Sequence, residues 1–507
     1  MILQTSPARW RLGQLLHGLT EVAPAEDRTI TGLASDSREV TRGALFFACP
    51  GSHTNGAEHI ESAIARGAEA VVVEQSLYQH AARHPVPILP VFSAVSCAGA
   101  VANRFYGQPS QALRVIGVTG TNGKTTVTHA VAEALTGWSE LGGETALHCG
   151  LIGTLGYGLS GDLSAGARTT PDVLTIHRLL ARIRELGGAY VAMEVSSHAL
   201  VQQRIAAVDF HTAVFTNLSR DHLDYHRSME AYGAAKRQLF HVDGLRYAVI
   251  NVSDEFGRRL ASELPSQVQA LCYGFDGEGG EPDVSAEVLT AGRHGLALRV
   301  STPWGQGELY SRLYGRFNAS NLLASLGVLL AGGMPLETAL RRLGAVAPVP
   351  GRMEAFGGDD GNPLVVVDYA HSPEALRCVL SALREQCAGR LWCVFGCGGE
   401  RDRGKRALMG AVAADEADST VLTDDNPRGE DGDRIIAEVM AGVPSDREII
   451  VERDRATAVR HAVVASRADD VVLVAGKGHE CYQEIGAVRR PYSDRAAVRN
   501  ALRERAQ

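Results

Sequence analysis

The stretch Val115-Ile116-Gly117-Val118-Thr119-Gly120-Thr121-Asn122-Gly123-Lys124-Thr125-Thr126 decides how the chain is read. Its β-branched opening, Val115, Ile116 and Val118, suits a buried strand. Gly120 and Gly123 let the backbone turn tightly and approach a ligand. A helical pattern of apolar residues follows through Ala130, Val131, Ala134 and Leu135. Strand, glycine loop, Lys-Thr and helix together describe a phosphate cradle. Backbone N–H groups and the helix start face the anion, Lys124 reaches the terminal phosphates, and a threonine hydroxyl holds Mg2+. The usual pattern has a further glycine where this chain has Val118, so the match is a variant. A plain glycine turn with a solvated lysine is the alternative, and the Gly-Lys-Thr-Thr context favours the cradle.

A length of 507 residues suggests about three domains. A hydrophobic share of 45% is ordinary for a globular protein. The net charge of −8 is spread without long blocks of one sign, which argues against a nucleic-acid or anionic-membrane surface. No apolar run has the length to span a bilayer. Met1 to Gly18 lacks the continuous apolar core of a secretory signal. Nine scattered cysteines read as reduced thiols of a cytoplasmic enzyme. Cys393 and Cys397 have no second ligand pair nearby, so zinc is not expected.

Residues 1–112 read as a small α/β domain, with strands at 43–48 and 70–73 and a helix near 59–66. Asp36-Ser37-Arg38 by itself is no more than a polar turn. A linker at 106–110 leads into residues 113–346, which carry the cradle. There Thr170 reads as the cap of a helix through Leu174, Leu179, Leu180 and Ile183, with Pro171 at its first position. The strand at 190–193 ends at Glu194-Val-Ser-Ser-His198. A carboxylate at such a strand end is where a magnesium ligand is wanted, although alone it reads better as a helix-capping Glu. Another strand, 212–216, runs into Asn217-Leu-Ser-Arg-Asp-His222, where Asp221-His222 reads as a local hydrogen bond more readily than as a catalyst. Asn318 and Asn321 face a purine base or cap a helix start. After a second linker at 348–352, strands at 364–367, 391–395, 420–423 and 471–474 alternate with helices, which implies a parallel, doubly wound sheet over 347–507. Each strand ends in a polar cluster, and ligands of such sheets bind beyond those ends. The mix of Arg, Asp, Asn and Glu suits a ligand bearing both ammonium and carboxylate groups.

Taken in order, Thr119-Gly-Thr-Asn-Gly-Lys-Thr-Thr126, Glu194-Val-Ser-Ser-His198, Asn217-Leu-Ser-Arg-Asp-His222, Pro350-Gly-Arg352 and Asp368-Tyr-Ala-His371 resemble the motifs of the bacterial Mur ligases of cell-wall synthesis. The resemblance covers nearly the whole chain. Asp425-Asn-Pro-Arg428 is similar to the motif that marks a diaminopimelate-adding member over a lysine-adding one.

This resemblance implies an α/β protein of three domains: an N-terminal UDP-binding domain (1–112), a central P-loop ATPase-like domain (113–346) and a C-terminal Rossmann-like domain that brings the amino acid (347–507). It implies an ATP-dependent amide ligase in peptidoglycan precursor synthesis. Such an enzyme adds meso-diaminopimelate to the D-glutamyl γ-carboxylate of UDP-N-acetylmuramoyl-L-alanyl-D-glutamate through an acyl phosphate. ATP is then a substrate and Mg2+ the cofactor, and the protein is a cytoplasmic monomer with small-molecule partners only. By resemblance, Ser35, Ser37, Ser52, His53 and Thr54 contact the UDP-sugar, and Thr169, Thr170, Ser196, Gln202 and Arg204 hold the sugar-peptide portion. Gly120, Thr121, Asn122, Gly123, Lys124, Thr125, Thr126, Asn321, Arg352 and Asp368 bind ATP. Arg401, Asp425, Asn426, Arg428, Gly476 and Glu480 hold diaminopimelate. Thr125, Glu194, His222 and Lys236 are the metal ligands, with Lys236 as a carbamate, and Lys124, Lys236 and His222 are the catalytic group. From its own surroundings in the sequence, Lys236 is only a helix-surface lysine.

Two positions depart from the family pattern: Arg168, where asparagine is common, and Ala496, where an acidic residue is common. The rival readings are a sister ligase adding L-lysine, a folylpolyglutamate synthetase-like ligase, and a nucleotide switch that ligates nothing. Domain closure about the linkers near 110 and 348 is expected for a reaction whose partners come from different domains.

Overall fold

A computed structural model describes residues 9–51, 55–78, 84–138, 147–292, 295–359 and 361–505. Ser52, His53 and Thr54, expected at the UDP-sugar, lie outside the described residues. The chain forms two compact units. The first comprises Met1–Val118, Leu135–Ala213 and Gln238–Arg246, and the second comprises Thr119–Ala134, Val214–Arg237 and Tyr247–Gln507.

The first unit begins with a parallel sheet of Gly32–Ala34, Ala44–Ala48, Ala68–Glu74 and Ile88–Val91. Ala44–Ala48 is buried throughout, because apolar side chains face both sides of a covered parallel strand. Helix Ala94–Phe105 packs beside it, with its N-terminus capped by Ser93. Further on, Arg114–Thr119 pairs in parallel with Gly188–Glu194, which in turn pairs with His148–Gly153. The glycine-rich stretch near 156–166 forms a hairpin, Gly156–Leu159 against Asp162–Ser164. The cap expected at Thr170 is corrected here. Helix Val173–Glu185 starts after Asp172, whose carboxylate accepts from the Thr175 N–H at 3.0 Å, while the Thr170 hydroxyl is turned away to the Glu194 carbonyl at 2.8 Å.

In the second unit, Tyr247–Asn251, Gln269–Phe275 and Val284–Gly292 run parallel, and the last continues as an antiparallel meander through Gly295–Thr302 and Gly305–Ser311. That meander gave no signal in the sequence reading. Helix Arg316–Ala331 is buried along most of its length, so it has no polar face to reveal by periodicity.

The C-terminal sheet has the order Glu354–Gly357, Leu364–Asp368, Val471–Ala475, Leu391–Phe395, Ser419–Leu422, Ile449–Val451. Its pairings are parallel except at the first strand, which adds an antiparallel edge to the expected parallel sheet. The strands placed by sequence are present, and Glu354–Gly357 and Ile449–Val451 are additions. Apolar residues cover both faces, with Phe395 and Leu473 on one and Val394 and Val474 on the other.

A fully buried ion pair ties this sheet to its covering helices. Arg455 donates from Nε and Nη2 to the two oxygens of Asp494, both at 2.8 Å, and Nη2 also donates to the Ala475 carbonyl at 2.8 Å. Neither side chain is exposed at all. Asp494 lies beside Arg495, which pairs with Glu354. Ala496, the position flagged by sequence, only follows this anchored turn. Arg455→Met strands a buried carboxylate, so it should lower stability by about 3–5 kcal/mol, and adding Asp494→Leu should recover most of the loss. Denaturant midpoints followed by the fluorescence of buried Trp392 check both effects.

Candidate active site

The phosphate loop lies in the second unit, and its shape is set by the residues it touches. Gly120 and Gly123 have φ of +154° and +86°. A Cβ on Gly120 would sit 1.8 Å from the Thr216 hydroxyl, and one on Gly123 would sit 2.4 Å from Asn321 Oδ1. Both positions therefore require glycine. The loop is braced by the polar stretch that follows Thr212–Phe215. Thr121 N–H donates to the Asn217 carbonyl at 2.8 Å, and Asn122 N–H donates to Asn217 Oδ1 at 2.9 Å. Thr216 Oγ1 donates to the Asn122 carbonyl at 2.6 Å. Tyr232 OH reaches Thr121 Oγ1 at 3.2 Å. Helix Lys124–Leu135 starts immediately after the loop. Lys124 Nζ donates to the carbonyls of Gly120 and Thr121 at 2.8 and 2.9 Å, so its ammonium lies across the loop mouth.

The other residues assigned to ATP gather here. Asn321 faces Gly123 from inside helix Arg316–Ala331 and is not its cap, which is Gly315. Its Nδ2 donates to Asn318 Oδ1 at 3.0 Å. Arg352 donates from Nη2 to Thr125 Oγ1 at 3.1 Å and lies 4.4 Å over the Tyr369 ring. The next residue, Met353, donates its N–H to Asp368 Oδ2 at 2.8 Å. Burial raises the Asp368 carboxyl above its ordinary pKa, against the pull of the Arg352 charge. Burial, then Arg352, pushes His129 down to about 4 and holds it neutral.

Lys236 departs most from its sequence reading. The expectation of a helix-surface lysine is wrong, because the residue is 1% exposed. Its Nζ stands 4.2 Å over the Tyr232 ring, and among the described residues no carboxylate lies within ion-pair distance of it. Burial, and then the charge of Lys124, lowers its pKa well below the ordinary value. Periodicity in the short helix Met229–Arg237 gives no signal for this, because Tyr232, Gly233, Ala235 and Lys236 are all buried, Tyr232 against the loop and Gly233 against Phe256.

Asp221, His222, His371 and Lys405 form a second cluster in this unit. Asp221 Oδ2 lies 3.5 Å from His222 Nε2 and 3.6 Å from His371 Nε2, and Oδ1 lies 3.8 Å from Lys405 Nζ. Burial pushes the Asp221 carboxyl up, but these neighbours more than offset it and hold it well below the usual carboxylate range. Lys405 was not singled out by sequence, and Asp221 only as half of a local Asp-His pair. Among the described residues, no group of three or more His, Cys, Asp or Glu side chains forms a ready cation cage.

The diaminopimelate set converges at the ends of the C-terminal strands. Asn426 Nδ2 donates to Glu480 Oε2 at 2.9 Å. Arg428 donates from Nε to Glu484 Oε2 at 2.9 Å and from Nη1 to the Gly399 carbonyl at 2.8 Å. A Cβ on Gly398 would lie 3.1 Å from Arg428 Nη1 and 3.8 Å from Arg401 Cγ, so both arginines flank one glycine. Gly476 N–H donates to the Asp368 carbonyl at 3.1 Å, which links this pocket to the Arg352 side of the phosphate loop. Lys477, Glu484 and Tyr482 are part of the pocket and were missed. Lys477 stands between two glycines of positive φ, the one local sign that its backbone is specially placed. Cys393 and Cys397 are buried, and burial pushes the Cys397 thiol up to about 11.

The first unit assembles the sugar-peptide set. Thr170 Oγ1 accepts from the Ser196 N–H at 3.0 Å, and Arg204 Nη1 donates to the Thr170 carbonyl at 2.8 Å. Arg204 also grips Gln202 Oε1 through Nε and Nη2, at 3.0 and 2.6 Å. The hydroxyls of Thr169 and Thr154 lie 3.1 Å apart, and Thr154 donates to both Glu194 oxygens, at 2.8 Å from its N–H and 3.1 Å from its hydroxyl. Glu194 caps no helix: Ser196 caps the next one. Arg168 is exposed and bonds Tyr157 through its backbone. Ser37 is buried beside exposed Ser35, and the Arg38 hydrogen bond holds Asp36 down to about 2.

Comparison with known proteins gives these arrangements a family. Residues 118–329 match the Mur ligase middle domain, residues 351–478 the glutamate ligase domain of Mur ligases, and residues 29–106 the catalytic domain of the Mur ligase family. The chain is 48% identical over 502 residues to the UDP-N-acetylmuramoyl-L-alanyl-D-glutamate--2,6-diaminopimelate ligase of Alkalilimnicola ehrlichii, covering 97% of this chain and 99% of that protein. It is 48% identical over 490 residues to the protein of the same name from Pseudomonas aeruginosa, covering 96% and 98%. A solved structure of a UDP-N-acetylmuramoyl-L-alanyl-D-glutamate--2,6-diaminopimelate ligase is similar over 99% of this chain and 100% of that one, with a TM-score of 0.68 and 34% identity. On that identity, carried across almost its full length, the chain belongs to the Mur ligase family.

Proposed function

We propose that this protein is the ATP-dependent ligase that joins meso-diaminopimelate to the D-glutamyl γ-carboxylate of UDP-N-acetylmuramoyl-L-alanyl-D-glutamate. The observation that carries the choice of amino acid is the convergence of Arg401, Asp425, Asn426, Arg428 and Glu480 on one pocket. Diaminopimelate differs from lysine by a distal carboxylate, and the Arg428 guanidinium beside Gly398 supplies donors for it. A ligand without that carboxylate leaves the partly buried Arg428 without it, which is the kind of loss that rejects an analogue strongly.

In the mechanism, Lys124 and the loop's backbone N–H groups other than those of Thr121 and Asn122, which Asn217 takes, hold the triphosphate of ATP. The γ-carboxylate attacks the γ-phosphorus and ADP leaves, giving an acyl phosphate. The neutral amine of diaminopimelate then attacks the acyl carbon and phosphate departs. Bound Mg2+ would neutralise charge on the transferring phosphoryl group. Magnesium takes few protein oxygens, with phosphates and water completing its shell. Within the second unit, Thr125 and Lys236 as its carbamate would serve, with His222 nearby in the cluster of Asp221. The metal role of Glu194 and the UDP-sugar role of Ser35 and Ser37 belong to the same proposal. So do boundaries at 112 and 346, a monomeric state and a cytoplasmic location. No described helix is long and apolar enough to cross a membrane.

A carbamate at Lys236 is chemically favoured. A buried amine without a carboxylate partner is disfavoured as a cation, and the neutral amine is the form that takes up CO2.

Given ATP, the UDP-muramoyl dipeptide and an amino acid, the protein should form amide product with diaminopimelate far faster than with lysine. Lysine preference would point to the sister ligase, and ATP hydrolysis without amide product to a switch. Arg428→Ala should raise KM for diaminopimelate about 10- to 100-fold, with a smaller change in kcat. Protein equilibrated with 13C-bicarbonate should show a carbamate resonance that Lys236→Ala abolishes, together with a kcat loss of about 100-fold or more. An active protein without that resonance would remove the carbamate.

A further inference from the structure

We propose that Lys477 is the positioning residue that offsets the Asp425 and Glu480 carboxylates of the amino-acid pocket and so selects a ligand end bearing both ammonium and carboxylate over a plain ammonium. This rests on the reading of the pocket given above and deepens it. The Lys477 side chain is wholly buried. Its Nζ lies 2.7 Å from Glu480 Oε2, 2.9 Å from Asn426 Oδ1 and 3.5 Å from Asp425 Oδ1. It therefore touches three of the side chains assigned to the ligand.

These contacts fix the orientation of the acceptors. Asn426 Oδ1 receives both Lys477 and the backbone N–H of Glu484, the latter at 2.9 Å, so its amide must present Nδ2 to Glu480. Glu480 Oε2 is then filled by two donors. Among the described residues no hydrogen bond reaches Oε1, the oxygen left to accept from a ligand ammonium. The lysine is delivered by backbone that no other residue pattern reproduces easily. Gly476 and Gly478 have φ of +113° and +51°, and a Cβ on Gly478 would lie 2.6 Å from the Gly351 carbonyl oxygen.

Charge supplies the selection. Lys477 is the cation paired with Asp425 and Glu480, while Glu484 is shared by Arg428 and Arg489. Carboxylates offset in this way, with the Arg428 fork nearby, match a zwitterionic end group. Without Lys477, Asp425 and Glu480 keep no ion-pair partner among the described residues, which suits the plain ammonium of a lysine side chain better. At low local dielectric such a difference is large enough to alter specificity.

The test is Lys477→Met in the full chain, with Lys477→Gln as a second variant that keeps hydrogen-bonding capacity but not charge. Amide formation is followed while diaminopimelate is varied, and lysine is measured as a competitor of diaminopimelate. Both variants should lower kcat/KM for diaminopimelate about tenfold or more, mainly through KM, while the inhibition constant of lysine stays unchanged or improves. A pocket that merely collapses would lose both ligands together, and that result overturns the proposal, as does an unchanged KM for diaminopimelate. If the unaltered protein forms no amide with diaminopimelate, the reading of the pocket fails and the proposal with it. If it does, and only the selectivity of the variants is unmoved, Lys477 alone is misassigned.

Discussion

The structure depends on the hydrogen bonds that hold the loop Gly120–Gly123 against Thr216 and Asn217. A loop that must expose N–H groups to an anion cannot satisfy them internally, so its shape has to come from elsewhere. Here the Asn217 side chain and carbonyl take the N–H groups of Asn122 and Thr121, and Thr216 bonds the Asn122 carbonyl. Gly120 is needed because the Thr216 hydroxyl occupies the space of its side chain. Tyr232, which also braces the loop, carries its ring over Lys236. The burial that perturbs Lys236 is therefore a consequence of how the loop is supported.

From this loop a continuous path leads to the amino-acid pocket within the second unit. Thr125 is bonded by Arg352, the neighbouring Met353 bonds Asp368, and Asp368 receives the Gly476 N–H. Gly476 precedes Lys477, whose ammonium orders Asn426 and Glu480. Short polar contacts thus join the side chains proposed to meet the phosphates to those proposed to hold the incoming amine. For a two-step transfer in which positioning does most of the work, that connection matters more than any single acid or base.

Much of this was legible in the chain. The phosphate loop has a local grammar of glycine, lysine and threonine, and the polar clusters after Leu391–Phe395 and Val471–Ala475 announce themselves because strand ends are where such sheets bind ligands. Residues whose roles arise from tertiary packing stayed hidden. Lys236 looks like any lysine on a short helix until Tyr232 and the loop cover it. Asp221 is one carboxylate in a polar run, and only folding brings His371 and Lys405 to it. Arg455 and Asp494, far apart in sequence and wholly buried, left no periodic trace. The helix cap went wrong at Thr170 because two plausible cap residues stand close together and the competing acceptor, the Glu194 carbonyl, is distant in sequence.

The account's central claim is that the braced loop serves to transfer a phosphoryl group onto a carboxylate, and oxygen tracing tests this directly. With the D-glutamyl γ-carboxylate of the UDP-muramoyl dipeptide labelled with 18O, turnover with ATP and diaminopimelate should release inorganic phosphate carrying one labelled oxygen per amide formed. Amide product accompanied by unlabelled phosphate would contradict the claim.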